Sequence, residues 1–496
     1  MDLAFVNGVV WRPGVRRPAT AVACSEERIV AIGSDREIRA LIDKDARVID
    51  ARGGTIMPAF NDAHVHFLMG SRSLSELDLF GVTSQPDVEK RITAYARGRG
   101  DGWVVGRGWF YSAFQGGMPS VELLDRLIPD RPAYLESFDA HTGWANSKAL
   151  AIAGVTTRDV LKEAAMYTVT RHIPARSAEE ELDALRAGMK MAASRGVASV
   201  QEAGDGWDQL RFWDALRDAG DLTLRVRLAF DMTPNVDETE WRRRLDTYEE
   251  VARARATDAW VKSGIVKAFA DGVVESKTAS MLDPYEGDAD DRGAPLWPGD
   301  KLARHARIAS ERGWQVQVHA IGDAAIRQTL DAFHGAARER RHRVEHIECP
   351  DPAEVGRFAE LDVIASMQPQ HAAPALTEVW HRHLGPARGS LGWPWKRILD
   401  SGGRLAFGTD WPVVPLDPFA SIFEATKTLN LEEAVAGWTS GAAYAEHAEN
   451  IKGALREGML GDIVVLDRDI TRAQPNEITQ IKVEATAAGG RLVYES

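Results

Sequence analysis

Residues Thr55-Ile56-Met57-Pro58-Ala59-Phe60-Asn61-Asp62-Ala63-His64-Val65-His66 decide how the rest of the chain is read. An apolar, strand-like run, Thr55 to Phe60, leads into two histidines at i and i+2. On a β-strand that spacing turns both side chains to one face, because the side-chain period is two. Two neutral imidazoles leaving the end of a buried strand together are half of a divalent-metal site. The pair alone is a short pattern, and two unrelated histidines near a strand end would look the same. The decision rests on what the other strands end in.

Outward from that stretch, the middle of the chain alternates strand-like runs with helical ones such as Ala178 to Arg195 and Asp300 to Arg312. This alternation means βαβ units and a parallel sheet. Candidate strands start near Thr55, Val197, Leu224, Gly264, Trp314, Arg343, Val363 and Leu405. That is the number that closes a (β/α)8 TIM barrel, whose chemistry sits at the C-terminal strand ends. The first strand ends in His64 and His66. The fourth carries Lys267 amid apolar residues. The fifth ends in His319, the sixth in His346 and the eighth in Asp410. A single histidine or aspartate at such a place more often caps a turn or bonds to backbone, and a lone Lys267 would snorkel out of the barrel. Ligand-type residues at matching ends of five strands are hard to produce by accident.

Residues 1–57 read as short strands. Leu3-Ala4-Phe5-Val6 and Val9-Val10-Trp11 flank Asn7-Gly8, a strong hairpin signal. Residues 458–496 have the same texture, and neither piece alone has much core. They are expected to pair into one small β-sandwich built from both chain ends. The barrel, 58–418, lies between them, with an insertion at about 70–180 that roofs the site and a helical return segment at 419–457.

The 496 residues are too many for one ordinary core. With 73 acidic against 60 basic residues, a net charge of −13 and no basic cluster, nucleic acid and anionic membrane surfaces are excluded as partners. The two cysteines, Cys24 and Cys349, are not a disulfide framework and fit a reducing compartment. No secretory leader pattern and no apolar run of about 18 residues is present. The expectation is a cytoplasmic enzyme with a small-molecule substrate.

Met57 to His66 resembles the first metal motif of the amidohydrolase superfamily. His141-Thr142-Gly143-Trp144-Ala145-Asn146-Ser147-Lys148-Ala149-Leu150, Val266 to Gly272, His319-Ala320-Ile321-Gly322-Asp323, Gly408-Thr409-Asp410-Trp411-Pro412 and Gly458 to Asp467 are similar to its amidohydrolase-3 branch. That branch holds the YtcJ-like and N-substituted formamide deformylase-like proteins, and the resemblance covers essentially the whole chain. It implies a metal-dependent hydrolase of a non-peptide C–N bond in an N-substituted amide or formamide. It implies that His64 and His66, with Asp410, hold one divalent ion, usually zinc, and that His319 and His346 hold a second. Lys267, carboxylated by CO₂, would bridge them. An ammonium has no lone pair, whereas a carbamate offers two oxygens, and burial among apolar residues favours the neutral amine that adds CO₂. A mononuclear site with unmodified Lys267 is the alternative. Asp410 would also act as base and then acid.

His141, beside a family-like motif, is the candidate oxyanion donor, with a structural turn histidine as the equal alternative. His371, after the seventh strand, is a second candidate. Trp109 and Trp411 are candidate apolar walls of the substrate pocket. Two departures stand out: Ala59 where glycine is usual, and Asn61 where an apolar residue is usual. Asn61 is expected to change what supports the metal ligands. A cyclic amide or ureide hydrolase or a deaminase on the same scaffold, and a non-catalytic scaffold, are the competing readings. A homodimer is an expectation by analogy alone.

Overall fold

A computed structural model describes residues 2–15, 18–98, 100, 102–204 and 206–496. Eight parallel strands form the barrel: β1 (Phe60–Val65), β2 (Val197–Glu202), β3 (Arg225–Asp231), β4 (Val261–Phe269), β5 (Gln315–Ala320), β6 (Arg343–His346), β7 (Ile364–Met367) and β8 (Arg404–Phe407). Each hydrogen-bonds its sequential neighbour in parallel register. The sheet meets itself where the Asp410 amide donates to the His64 carbonyl at 2.7 Å. The Thr409 amide donates to Asp62 Oδ1 at 3.0 Å in the same seam. Helices follow the strands, among them Ala178–Ser194, Glu238–Arg253, Lys301–Glu311 and Asp323–Phe333. Every residue of β1, β2 and β5 is buried, because a parallel sheet wrapped in helices has no wet face. Helix residues Leu185, Trp213 and Trp241 share one core with Val200, Leu228 and Val318 of the strands.

The run Thr55–Pro58 is not the start of the barrel. It pairs parallel with Val9–Val10 and antiparallel with Ile463–Leu466. The crossing takes one residue: the Ala59 amide donates to Asp462 O at 3.0 Å and the Phe60 amide to Gly196 O at 2.9 Å. A period-two apolar pattern is the same on both sides of such a switch, so periodicity cannot place it. The fourth strand also begins earlier than Gly264. That glycine lies inside β4 with φ +113°, where the register with β3 slips, so a β-bulge replaces the expected strand start.

Two further sheets flank the barrel floor. One holds Arg28–Gly33, Ala21–Ser25, Leu3–Val6 and Arg47–Asp50; the other holds Val9–Val10, Thr55–Pro58, Ile463–Leu466, Val483–Ala488 and Arg491–Glu495. Phe5, Val22, Ile56, Ile463 and Val465 share one core, so both chain ends contribute to it. The expected Asn7-Gly8 hairpin does not form. Asn7 does take a left-handed turn, φ 56°, but Leu3–Val6 and Val9–Val10 enter different sheets. Gly8 packs against Ile56 with no room for a side chain.

The segment after β1 carries a sheet of its own, ordered Leu161–Lys162, Thr142–Ala145, Ala133–Ser137, Val104–Trp109, Leu77–Asp78. Ile92, Trp109, Phe114, Leu135 and Trp144 are part of its separate core. The helices Pro418–Ala425, Leu431–Trp438 and Ser440–Ala445 precede the last strands. Among the described residues, no helix is long and apolar enough to cross a membrane.

Candidate metal centre

The C-terminal strand ends bring six side chains to one place. His64 leaves β1 with Nδ1 turned to Glu345 Oε2, 2.5 Å away. That leaves Nε2 facing Lys267 Nζ and Asp410 Oδ1, each at 3.5 Å. His66 Nε2 stands 3.5 Å from the same aspartate oxygen. The His346 ring lies 4.8 Å from that of His64 and 4.4 Å from that of His319. Its Nδ1 meets Gln368 Oε1 at 2.8 Å and lies 3.9 Å from Asp410 Oδ2. His319 turns Nε2 to the Gly272 carbonyl at 3.1 Å, which leaves Nδ1 as its lone-pair nitrogen.

Backbone strain helps aim this set. Asp410 has φ 60° and His346 φ 72°, both left-handed and both without glycine's freedom. Each lies just past or at the end of its strand, where the twist throws the side chain over the mouth. The helix Phe67–Ser73 starts directly after His66, its first amide donating to the buried Glu202 at 2.7 Å.

Burial, then the charges of Lys267 and the other imidazoles, holds His64 well below the usual imidazole range. Burial, then His319, His64 and Lys267, does the same to His346. For His319 the order is burial, His141 and Lys267. These rings are neutral at physiological pH and carry a lone pair, as a metal ligand must. Asp410 Oδ1 and His371 Nε2 are buried with no hydrogen-bond partner. Ligands placed 2.0–2.1 Å from a tetrahedral zinc lie about 3.4 Å from one another. The 3.5 Å spacings around Asp410 Oδ1 fit that donor set better than they fit a hydrogen-bonded cluster. His64, His66 and Asp410 make one such triad; His346, His371 and Asp410 make another.

A family model described as the amidohydrolase family matches residues 47–494. The chain belongs to the amidohydrolase family. The Arabidopsis thaliana protein LONG AFTER FAR-RED 3 is 28% identical over 99% of this chain and 91% of its own length. An N-substituted formamide deformylase from Arthrobacter pascens is 24% identical, covering 100% of this chain and 98% of its own. The crystal structure of an uncharacterized metal-dependent hydrolase from Pyrococcus furiosus superposes with a TM-score of 0.74 at 27% identity, over 94% of this chain and 99% of that one.

Around the amidohydrolase cluster lies a narrow cavity of about 30 Å³. His141 lines it, with Nδ1 on Glu163 Oε2 at 2.9 Å and its ring 5.4 Å from His319. Burial works against its charge, but the Glu163 carboxylate outweighs burial and carries the pKa up to about 9. His371 also lines the cavity, Nδ1 3.3 Å from Glu348 Oε1 and Nε2 4.0 Å from Asp410 Oδ2. Its pKa is raised too, the Glu348 bond and the Asp410 charge overcoming burial. His141 is a cationic donor beside the metal ligands.

Neither expected tryptophan wall is there. Trp109 is fully buried in the insertion's core, its Nε1 on Leu135 O at 3.0 Å and its ring edge-on to Tyr111. Trp411 packs edge-on to Phe67 and against Gly70, behind the helix that follows His66. The apolar walls are Phe138, Val273, Ile321, Leu376 and Val413. Asn61 does not support the ligands either. It points to the barrel floor and donates to Glu446 at 2.6 Å.

Sequence reading missed the groups that hold the ligands. Glu345 orients His64 while bonding Arg343 at 2.9 Å. Gln368 orients His346. Asp271 accepts three amides, from Ser280, Gly322 and Ile321, at 2.8–3.1 Å behind His319. Each lies inside a stretch already singled out for another residue, so proximity to a candidate was the available signal. Glu163 sits in a turn with no pattern around it and offered none.

Proposed function

We propose that this amidohydrolase is a metal-dependent hydrolase that cleaves the C–N bond of an N-substituted amide or formamide. The observation that carries it is the buried, unpartnered Asp410 Oδ1, ringed at 3.5 Å by the Nε2 atoms of His64 and His66. His64, His66 and Asp410 would hold one divalent ion, and His319 and His346 a second. Lys267, buried and 3.5 Å from His64 Nε2, would bridge them as the carbamate. When bound, such ions acidify a water and polarise the scissile carbonyl.

The rest falls to the chain's own groups. Asp410 takes a proton on a carboxylate oxygen and returns it to the departing nitrogen, so the leaving group goes as the neutral amine. His141, cationic at neutral pH, lines the cavity with His371 beside it and is placed to answer the carbonyl oxygen as it becomes negative. The apolar walls keep bulk water off the reacting bond and strengthen these interactions.

The test is metal analysis of the purified protein beside turnover of formamides, acylated amines and cyclic amides. The expected result is about two ions per chain, amide turnover, loss of both on chelation, and recovery with zinc. A metal-free protein inert to the whole panel overturns the reading.

A further inference from the structure

Four carboxylates line the cavity: Asp139, Glu275, Glu348 and Asp410. Two have partners that account for them. Asp410 belongs to the metal cluster. Glu348 meets His371 and accepts the Trp380 indole N–H at 3.0 Å. His141, a cation on the wall, is matched by Glu163, outside the cavity lining. Asp139 shares the His141 charge with Glu163, and Glu275 faces other carboxylates.

Asp139 is only 7% exposed and is held firmly. Its Oδ1 accepts from the Tyr111 hydroxyl at 3.2 Å, the His141 amide at 3.1 Å and the Ser137 hydroxyl. Its Oδ2 is buried with no partner. Glu275 has carboxylates for electrostatic neighbours, Glu348 and Asp139. A second, narrower cavity shares Phe138, Glu275 and Leu376 with the first. Phe110, Tyr111 and Glu378 also line it. Aromatic faces and carboxylates together are the surroundings an organic cation prefers. An anionic tail would be repelled there, and a neutral apolar tail would leave Asp139 Oδ2 buried without a partner.

We infer that Asp139 and Glu275 form a receptor for a positively charged group on the substrate, so that the amide this enzyme cleaves carries an ammonium or similar organic cation a few bonds from the scissile nitrogen. The inference rests on the amide-hydrolase reading for the position of the scissile bond. The receptor itself rests only on the carboxylates and the aromatic passage. Asp139 and Glu275 set specificity by binding.

The test uses the full-length, zinc-loaded protein and two probes, N-(aminobutyl)formamide, a cation at neutral pH, and its uncharged isostere N-pentylformamide. The cationic probe is expected to have the higher kcat/KM by about tenfold or more, with the difference carried by KM. In Glu275→Gln that ratio falls toward one. In Glu275→Lys the preference passes to a formamide ending in a carboxylate. Competition between butylammonium and butanol, followed by ligand-detected NMR on the wild-type protein, needs neither turnover nor a folded variant. Tighter binding of butylammonium is the expected result. A protein that cleaves neither formamide but binds butylammonium through Glu275 keeps the receptor and overturns the formamide reading. One that cleaves both probes equally, or binds butylammonium no better than butanol, overturns the receptor and leaves the hydrolase standing.

Discussion

Arg225 and Asp462, at the floor of the barrel, are both buried and meet through two hydrogen bonds of 2.9 and 3.2 Å; Asp410, at the mouth, is only 6% exposed and keeps an oxygen with no partner. The floor repeats its pattern. Lys452 bonds Glu446 at 2.7 Å and Ser199 at 2.7 Å, and Asn61 adds a donor to the same glutamate. The mouth repeats its own, with His371 Nε2 and Asp139 Oδ2 buried and unanswered. An unpartnered buried polar atom costs about 1–3 kcal/mol. The floor's charged pairs avoid that cost, although Asn61 Oδ1 beside them does not, and the mouth carries it where a metal ion and a substrate are expected to relieve it. One end of the same eight strands is built for stability, the other for chemistry.

The largest effect that would break this contrast is at Asp410. Asp410→Ala is expected to lower kcat/KM by about ten-thousand-fold while the melting temperature holds or rises, because an unpartnered carboxylate has gone. Full turnover in that variant ends the assignment of the mouth. Next comes the floor. Asp462→Ala leaves the Arg225 guanidinium buried without its counter-charge and is expected to cost about 3–5 kcal/mol in denaturant unfolding. Activity per folded molecule stays within about twofold, since no ligand moves. A stable Asp462→Ala protein would mean that the floor pairs do not hold the barrel. His141→Asn removes a cationic donor and is expected to lower kcat about a hundredfold with little change in KM; unchanged kcat would return His141 to a purely structural place.

The smallest effect sharpens the comparison by pH. His342 lies at the floor side, its Nδ1 accepting the Val316 amide at 3.0 Å and its Nε2 3.1 Å from Ser310 Oγ. Burial, then the nearby Arg340, lowers its pKa to about 4. The unfolded chain takes up this proton near the ordinary 6.5, the folded chain only near 4. Its share of stability is therefore whole above the unfolded value and drains as pH falls from there to the folded one. Between pH 7 and pH 5 that share is about 2 kcal/mol. His342→Gln should flatten the pH dependence of unfolding by that amount, and an unchanged slope would refute it.

The ligands were legible because their signal is local. A strand-end position and period two place His64, His66, His319, His346 and Asp410 without knowledge of the rest. What failed was what depends on the partner. Thr55–Pro58 has a perfectly good strand pattern, and only its pairing with Ile463–Leu466 shows which sheet it serves. Val9–Val10 leaves its expected hairpin for the same reason. Trp109 has a sequence neighbourhood like that of a pocket residue, yet the insertion needs it as its own core. Asp139, Glu163 and Glu275 are single carboxylates in irregular backbone, where nothing periodic points inward. Their meaning comes entirely from what surrounds them in space.

The single-residue crossing at Ala59 has a consequence for how the protein is made. Ile463–Leu466, which clamps the segment feeding His64 and His66, leaves the ribosome about four hundred residues after that segment does. Until then Thr55–Pro58, which leads into the strand bearing His64, has only Val9–Val10 paired beside it. The nascent chain therefore emerges with every ligand translated but the entry to the first barrel strand unclamped, and a truncation that removes only the last strands should weaken metal uptake from a distance.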